Sequence, residues 1–279
     1  MQRSQYFKNK VILITGGSSG IGLALAKTLI TYEPKTIIIL SHDKNKLQQA
    51  VVELTANAKR VVIDSVLADI CDVAAITSSA ETILKKHGAV DILINNAGFA
   101  HYVLFHEMSQ EALTQHAQVN FIGAMRVTLA FLPQMRARRM GQIMNITSVA
   151  AHMIILPNLV YSAAKHGLLA WSEGLAMELH KDNVVVQALS PGRVKTEFFN
   201  HESFKLVPHG AETMLTISLD KVVQTIIHAL IKRKKLVFAP AYWRLIAWVL
   251  KTFSLICKPL YNLILKKRIE ARQQVSETK

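Results

Sequence analysis

The stretch VILITGGSSGIG at residues 11–22 restricts the fold more than any other part of the 279-residue chain. A short apolar run ends at Thr15, the glycines Gly16, Gly17, Gly20 and Gly22 frame Ser18 and Ser19, and a second apolar stretch follows. A strand that stops in such a turn and enters a helix presents free backbone N–H groups and the positive end of the helix dipole, and glycine lets an anion approach the backbone. The residues suit a pyrophosphate cradle; they also suit an ordinary tight strand-to-helix turn, and only the rest of the chain separates the two.

Strand candidates at Val11–Thr15, 36–40, 60–66, 91–95, 142–147, 184–189 and 235–239 are mostly continuously apolar, as strands covered on both faces are. Helix candidates lie between them at 20–31, 43–56, 72–87, 110–136, 159–180 and 219–231. Asp72 and Asp220 suit helix N-termini and Gly88 a helix stop. Strand and helix in repetition imply an α/β fold: a Rossmann-like doubly wound parallel sheet of about seven strands in three α/β/α layers. With 51% hydrophobic residues the chain can bury one large core, so residues 1–240 read as a single catalytic domain and 241–279 as a C-terminal extension.

Further segments follow in order: Asn95-Asn96-Ala97-Gly98, then Ser148, then Tyr161-Ser162-Ala163-Ala164-Lys165, then Pro191-Gly192-Arg193-Val194-Lys195-Thr196. With Thr15–Gly22 they match the TGxxxGxG, NNAG, Ser with YxxxK, and PG-with-Thr motifs, and over residues 9–240 the chain resembles the short-chain dehydrogenase/reductase family. The resemblance implies an NAD(P)-dependent oxidoreductase that interconverts a ketone and a secondary alcohol.

The residue chemistry agrees with that implication. Tyr161 and Lys165 stand i and i+4 on one helix face, where the ammonium can act on the phenol. A free tyrosine titrates near about pH 10, and a neighbouring cation favours phenolate, so Tyr161 is expected to titrate lower and to serve as general acid/base. Taken alone, the pair would read as a half-exposed tyrosine beside a solvated lysine. Ser148, after the fifth strand, can donate a hydrogen bond to a substrate oxygen as charge develops on it. By resemblance, Lys165 also binds the nicotinamide ribose. Asn120, within Val119-Asn120-Phe121, holds the place of the family's catalytic asparagine, which implies a bound water linking Lys165 to solvent; a local helix distortion or a solvent hydrogen bond is the other reading. A non-catalytic dinucleotide-sensing regulatory or scaffold protein is the alternative function, and the intact set Asn120, Ser148, Tyr161 and Lys165 argues against it.

The resemblance places a dinucleotide against Gly16, Ser18, Ser19, Gly20, Ile21 and Gly22, with Asp69 and Ile70 flanking the adenine and Asn95 near the adjoining ribose. Asn96, Ala97, Gly98, Tyr161, Lys165, Pro191, Gly192, Val194 and Thr196 complete that expected site. In dinucleotide folds an acidic residue about 20 positions beyond the glycine turn binds the ribose 2′-hydroxyl and repels a 2′-phosphate. Ser41 stands at that place, followed by His42, Asp43 and Lys44. With no carboxylate at Ser41 and with His42 and Lys44 nearby, NADP(H) is expected over NAD(H). Asp43 reads as the cap of the next helix. Against NADP(H), Ser19 lacks the basic side chain that many NADPH-dependent relatives carry in the glycine turn.

Ala100-His101-Tyr102-Val103-Leu104-Phe105, and a loop opened by Glu197, Phe198 and Phe199 and running to Thr216, are expected to line a substrate pocket above the strand ends. Their apolar character favours a lipophilic small molecule of the 3-keto-sphingoid, steroid, retinoid or acyl type, although Phe198 and Phe199 could instead pack the loop onto the body. His101 and His209 read as surface or loop histidines. Cys71 and Cys257 form no CxxC pair and no cluster at metal-ligand spacing, so no metal site or disulfide framework is indicated and a reducing, cytoplasmic setting fits.

The formal net charge of +14 is concentrated late in the chain: from Lys232 onward there are 12 Lys/Arg and 2 Asp/Glu, against 21 and 17 before it. The segment LVFAPAYWRLIAWVLKTFSLICKPLYNLIL at 236–265 is too interrupted by charge to span a bilayer. Arg244, Lys251 and Lys258 recur every seven residues against a broad face containing Trp243, Leu245, Ile246, Val249, Leu250, Phe253 and Ile256, with Pro259 expected to break the helix. Residues 241–268 thus suit peripheral contact with an anionic membrane surface, or packing on the enzyme body or a second subunit. A homo-oligomer is expected by resemblance. Nucleic acid is not an expected partner, because the basic residues are interleaved with aliphatic ones.

Overall fold

The computed structural model describes residues 3–196, 198, 203, 204 and 216–277. Its strands are β1 (Val11–Thr15), β2 (Thr36–Ser41), β3 (Val62–Leu67), β4 (Ile92–Asn95), β5 (Gly141–Ile146), β6 (Val184–Pro191), β7 (Arg193–Val194), β8 (Thr216–Ile217) and β9 (Leu236–Ala239). Its α-helices are α1 (Arg3–Phe7), α2 (Gly20–Ile30), α3 (Lys44–Asn57), α4 (Val73–His87), α5 (Gln110–Ala117), α6 (Gly123–Ala137), α7 (Leu159–Glu178), α8 (Leu219–Lys232), α9 (Tyr242–Thr252) and α10 (Ser254–Glu277).

Seven strands make one parallel sheet in the order β3-β2-β1-β4-β5-β6-β9, and β7 pairs with β8 alone. Successive strand residues point to opposite faces, and the chain fills both. Ile12, Ile14, Ile37 and Ile39 meet Leu25 and Leu29 of α2, Leu54 of α3 and Ile226 of α8 on one side. Leu13, Ile38 and Leu40 meet Ile83 of α4, Phe131 of α6 and Leu175 of α7 on the other. Each large side chain buried this way contributes about 1.5–3 kcal/mol, which is what makes the expected three-layer arrangement stable. Strand order reverses between β1 and β4, so a crevice opens there at the C-terminal ends of the strands.

Three elements differ from the sequence expectation. β3 is an edge strand with a half-exposed pattern, so Asp64 and Ser65 are tolerated within it. The single helix expected at 110–136 is two helices joined by a π turn at Gln118–Ile122. Pro259 does not break the C-terminal helix: it lies inside α10, and the break falls at Phe253, whose backbone leaves helical geometry (φ −105°, ψ 38°). Proline forfeits one N–H there, and the carbonyl it would have reached, on Leu255, belongs to a residue 90% exposed to water. Because the helix divides at Phe253, the seven-residue cationic repeat does not run along one continuous helix.

Candidate active site

The glycine turn is built by clamping. Gly16 and Gly20 have φ of +62° and +51°, a region that side chains rarely enter. A methyl group on Gly22 would stand 2.3 Å from the Gly16 carbonyl oxygen, so α2 lies directly on the turn. Thr15 Oγ1 accepts from the Asn96 and Ala97 backbone N–H groups at 3.0 and 3.1 Å. Asn96 Nδ2 donates back to the carbonyls of Thr15 and Gly16 at 3.0 and 3.1 Å. The Asn96 side chain therefore braces the turn from beneath. Ser19, the N-cap of α2, makes no side-chain capping bond, so the first-turn N–H groups are left for an external anion. Gly20 faces Thr196, a methyl at Gly20 standing 3.6 Å from Thr196 Cβ. These uncapped donors, positive-φ glycines and close approach fit a dinucleotide pyrophosphate.

At the end of β2, Ser41 is buried and its Oγ accepts from Ser18 Oγ at 2.8 Å and from the Asp43 N–H at 3.2 Å. Asp43 caps α3 by accepting from the Lys46 N–H at 3.0 Å, which leaves His42 exposed at the strand end. Asp69 is exposed and accepts from the Cys71 N–H at 2.8 Å. Ile70 is buried, and a methyl on Gly123 would meet its side chain at 2.6 Å. Asn95 departs from its expected ribose role. Its Nδ2 donates to Thr128 Oγ1 at 2.9 Å and Asn145 Oδ1 at 2.8 Å, within a buried polar ladder continued by Asn145 Nδ2 to Ser172 Oγ at 2.8 Å.

Asn120 and Lys165 converge at Gly98, and Tyr161 stands between Lys165 and Ser148. Lys165 is 3% exposed, its Nζ donates to the Ile146 carbonyl at 3.0 Å, and it lies 5.7 Å from the Tyr161 ring centre. A methyl on Gly98 would come within 2.9 Å of Asn120 Oδ1 and 3.4 Å of Lys165 Nζ, so glycine allows both to converge. Ser148 hydrogen-bonds the Tyr161 side chain, and its Oγ also accepts from the Ala150 N–H at 3.1 Å. Asn120 is buried in the π turn. Its Nδ2 donates to the carbonyls of Phe99 (2.9 Å) and His116 (3.2 Å), and its Oδ1 accepts from the Phe99 N–H at 3.1 Å.

The titration of Tyr161 corrects the sequence expectation. Burial pushes its phenol up to about 12, and the Ser148 hydrogen bond only partly opposes this. Burial alone holds the Lys165 amine down to about 8. Burial thus favours the uncharged form of both groups, the phenol of Tyr161 and the amine of Lys165.

Above this group, the Tyr161 and Phe198 rings meet edge to face at 5.8 Å, Tyr102 and Phe204 also stand 5.8 Å apart, and Ala100 completes the apolar cluster. The Tyr102 N–H donates to Ser203 Oγ at 2.8 Å. Glu197, Phe199 and residues 205–215, with His209, lie outside the described residues. His101 is a loop histidine, as expected, but half-buried in a ring cluster 5.1 Å from Phe99 and 4.8 Å from the fully buried His116. Val194 is buried in β7, and the Gly192 N–H donates to the Ala239 carbonyl at 2.8 Å.

Sequence reasoning placed Trp243 on the apolar face of the C-terminal segment but not against Gly192, where its Nε1 would lie 2.6 Å from a methyl, and it missed a polar chain from His152 Nε2 to Ser190 Oγ to Thr147 Oγ1, each step 2.8 Å. Neither belongs to a local motif: Trp243 reaches Gly192 because β6 and β9 lie side by side, and the polar chain forms because Thr147 and His152 follow β5, the neighbour of β6.

A profile of the family described as short chain dehydrogenase matches residues 10–205. The Anopheles gambiae dehydrogenase/reductase SDR family protein 7-like is 32% identical over 198 residues, covering 70% of this chain and 62% of that protein, so the match spans less than two thirds of the relative. The 3-oxoacyl-[acyl-carrier-protein] reductase FabG of Salmonella typhimurium is 32% identical over 191 residues, covering 68% of this chain and 76% of that one. A solved metagenomic short-chain oxidoreductase in complex with NADP superposes with a TM-score of 0.70 at 26% identity, covering 84% of this chain and 97% of the other. The chain belongs to the short-chain dehydrogenase/reductase family of NAD(P)-dependent oxidoreductases.

Proposed function

We propose that the protein is an NADP(H)-dependent oxidoreductase that reduces a ketone on a lipophilic molecule to a secondary alcohol, with Tyr161 as proton donor. The observation that carries this reading is the grouping of half-buried Tyr161 with Ser148 beside it and the buried Lys165 amine one helical turn away, 5.7 Å from its ring centre. A phenol held protonated at neutral pH suits the reductive direction, in which a carbonyl oxygen gains charge and then a proton.

Gly16, Ser18, Ser19, Gly20, Ile21 and Gly22 would hold the pyrophosphate, with Asn96 bracing their turn. Ala97, Gly98, Pro191, Gly192, Val194 and Thr196 would frame the nicotinamide half, and Asp69 and Ile70 the adenine. A nicotinamide bound there would supply the hydride chemistry. Ser148 orients the substrate oxygen and stabilises charge on it, and Tyr161 delivers the proton from its hydroxyl. Lys165 favours the phenolate that remains. Asn120 spends its carboxamide fastening Phe99, so any water relay to Lys165 would use backbone carbonyls of the π turn.

NADP(H) is favoured by the absence of a carboxylate at Ser41, by the exposed His42 beside it, and by the NADP carried by the metagenomic relative. A lipophilic substrate is favoured by the Ala100, Tyr102, Phe198 and Phe204 cluster over Tyr161, and a keto group by the likeness to a 3-oxoacyl reductase. Peripheral membrane association through residues 241–268 belongs to the same reading. Among the described residues, no helix is long and apolar enough to cross a membrane. The test is a panel of long-chain and cyclic ketones with NADPH or NADH in the presence of vesicles. Turnover of apolar ketones with NADPH supports the reading; turnover confined to small polar carbonyls, or to NADH, contradicts it.

A further inference from the structure

The C-terminal helices are tied to the catalytic edge of the sheet. α9 leaves β9 beside the end of β6, buries Ala247, and sets Trp243 against Gly192. The Lys251 charge acts on His152, whose ring lies 4.5 Å from that of Phe238 in β9. α10 turns a half-buried stripe inward at Cys257, Tyr261, Leu265 and Ile269, a spacing of four. From that stripe, Tyr261 Oη donates to the Ile154 carbonyl, 107 residues away in sequence. Ile154 sits midway along the segment that joins Ser148 to Tyr161, so this contact ties α10 to the segment between two of the candidate catalytic residues.

The opposite face of the pair is bare. Trp248, Phe253, Leu260 and Leu263 are exposed, Ile256 is 77% exposed and Leu255 90%. Such a patch is larger than isolated surface hydrophobics explain. Arg244, Lys251, Lys258, Lys266 and Lys267 lie on the same two helices, and from Lys232 onward the chain carries 12 basic and 2 acidic residues. Two copies of so basic a face would repel each other, whereas an anionic bilayer complements both its charge and its apolar centre.

We propose that the outer face of α9 and α10 seats on an anionic lipid bilayer, and that the Tyr261–Ile154 bond transmits this seating to the segment between Ser148 and Tyr161, so that the cleft receives its substrate from the membrane. Tyr261 is then a positioning residue for membrane-dissolved ketones. The inference rests on the lipophilic-ketone reading for its substrate, but its docking half does not require turnover.

The test uses the intact chain with vesicles of phosphatidylcholine alone or mixed with phosphatidylglycerol. Flotation should show binding to the mixed vesicles only. Leu255→Glu combined with Ile256→Glu should abolish binding while leaving kcat/KM for a short water-soluble ketone unchanged. Tyr261→Phe should remain bound and raise KM for a vesicle-dissolved long-chain ketone by up to about tenfold, the effect of one lost hydrogen bond, with kcat unchanged. Amide exchange across 149–158 should slow on vesicle binding in the native chain and not in Tyr261→Phe. Absence of vesicle binding, equal binding to both vesicle types, or a change of oligomeric size in the Leu255/Ile256 variant in place of lost binding overturns the docking surface. A Tyr261→Phe enzyme with native KM and native exchange overturns the coupling. If no ketone is turned over, the functional reading fails, while flotation and amide exchange still decide this inference.

Discussion

Lys165 carries the largest unrelieved burial cost in the site. Its amine is 3% exposed, donates to one carbonyl, and titrates at about 8 against an ordinary 10.5. Between those two values the unfolded chain holds a proton that the folded chain has shed, so Lys165 makes stability rise with pH across that window; below about 8 both states hold it and the cost stands in full. Lys165→Met should therefore raise the melting temperature at pH 7, by on the order of 1–3 kcal/mol of stability, and flatten the rise between pH 8 and 10.5. A lower melting temperature would mean that the ammonium stabilises the fold. Ser41 offers a second test. Its Oγ already accepts from Ser18 and from the Asp43 N–H, so a carboxylate introduced by Ser41→Asp keeps both donors satisfied. That variant should lower the kcat/KM ratio of NADPH to NADH by about tenfold or more, through repulsion of the 2′-phosphate. At this scale Ser148, Tyr161 and Lys165 stood out only because they fall in order with the glycine turn, the Asn95–Gly98 segment and the Pro191–Thr196 segment; the i, i+4 spacing alone would not have singled them out. The direction of the Tyr161 shift was not legible, because burial is set by Phe198 and by neighbours distant in sequence.

Elements were legible where their signals are local. Asp43 and Asp72 cap α3 and α4 as their positions suggest, and Gly88 ends α4 with φ of +81°. The π turn at Gln118–Ile122 was invisible as an element, since its five residues do not interrupt the apolar periodicity. Only the placement of Asn120 hinted at a distortion. The break at Phe253 was missed for the opposite reason: Pro259 is the conspicuous residue, yet it costs little beside an exposed carbonyl. The glycine turn carries the element-scale prediction. Gly22→Ala places a methyl 2.3 Å from the Gly16 carbonyl and 2.7 Å from Asn96 Nδ2, so α2 must move away from the turn. Thermal melting should show a loss of about 1–3 kcal/mol, and titration of NADPH fluorescence a weakened affinity. Unaltered binding would show that the turn does not hold the dinucleotide.

Across the whole molecule, the parallel sheet brings residues from five separate segments to one edge. The glycine turn, the Gly98 approach, Ser148, the Tyr161–Lys165 pair and the Pro191–Thr196 segment all lie at the C-terminal ends of the central strands. Sequence order and hydrophobic runs were sufficient to place them there. They were not sufficient to show that α9 and α10 return to the same edge, because Trp243 and Tyr261 reach Gly192 and Ile154 through contacts that no local pattern encodes. With this convergence, Tyr161 is the proposed proton donor to a ketone. The decisive measurement is single-turnover reduction of an apolar ketone by Tyr161→Phe, with NADPH affinity measured in parallel. Native NADPH binding with a rate lower by about 10²–10⁴-fold is expected. A variant that binds NADPH and reduces the ketone at the native rate would contradict that role.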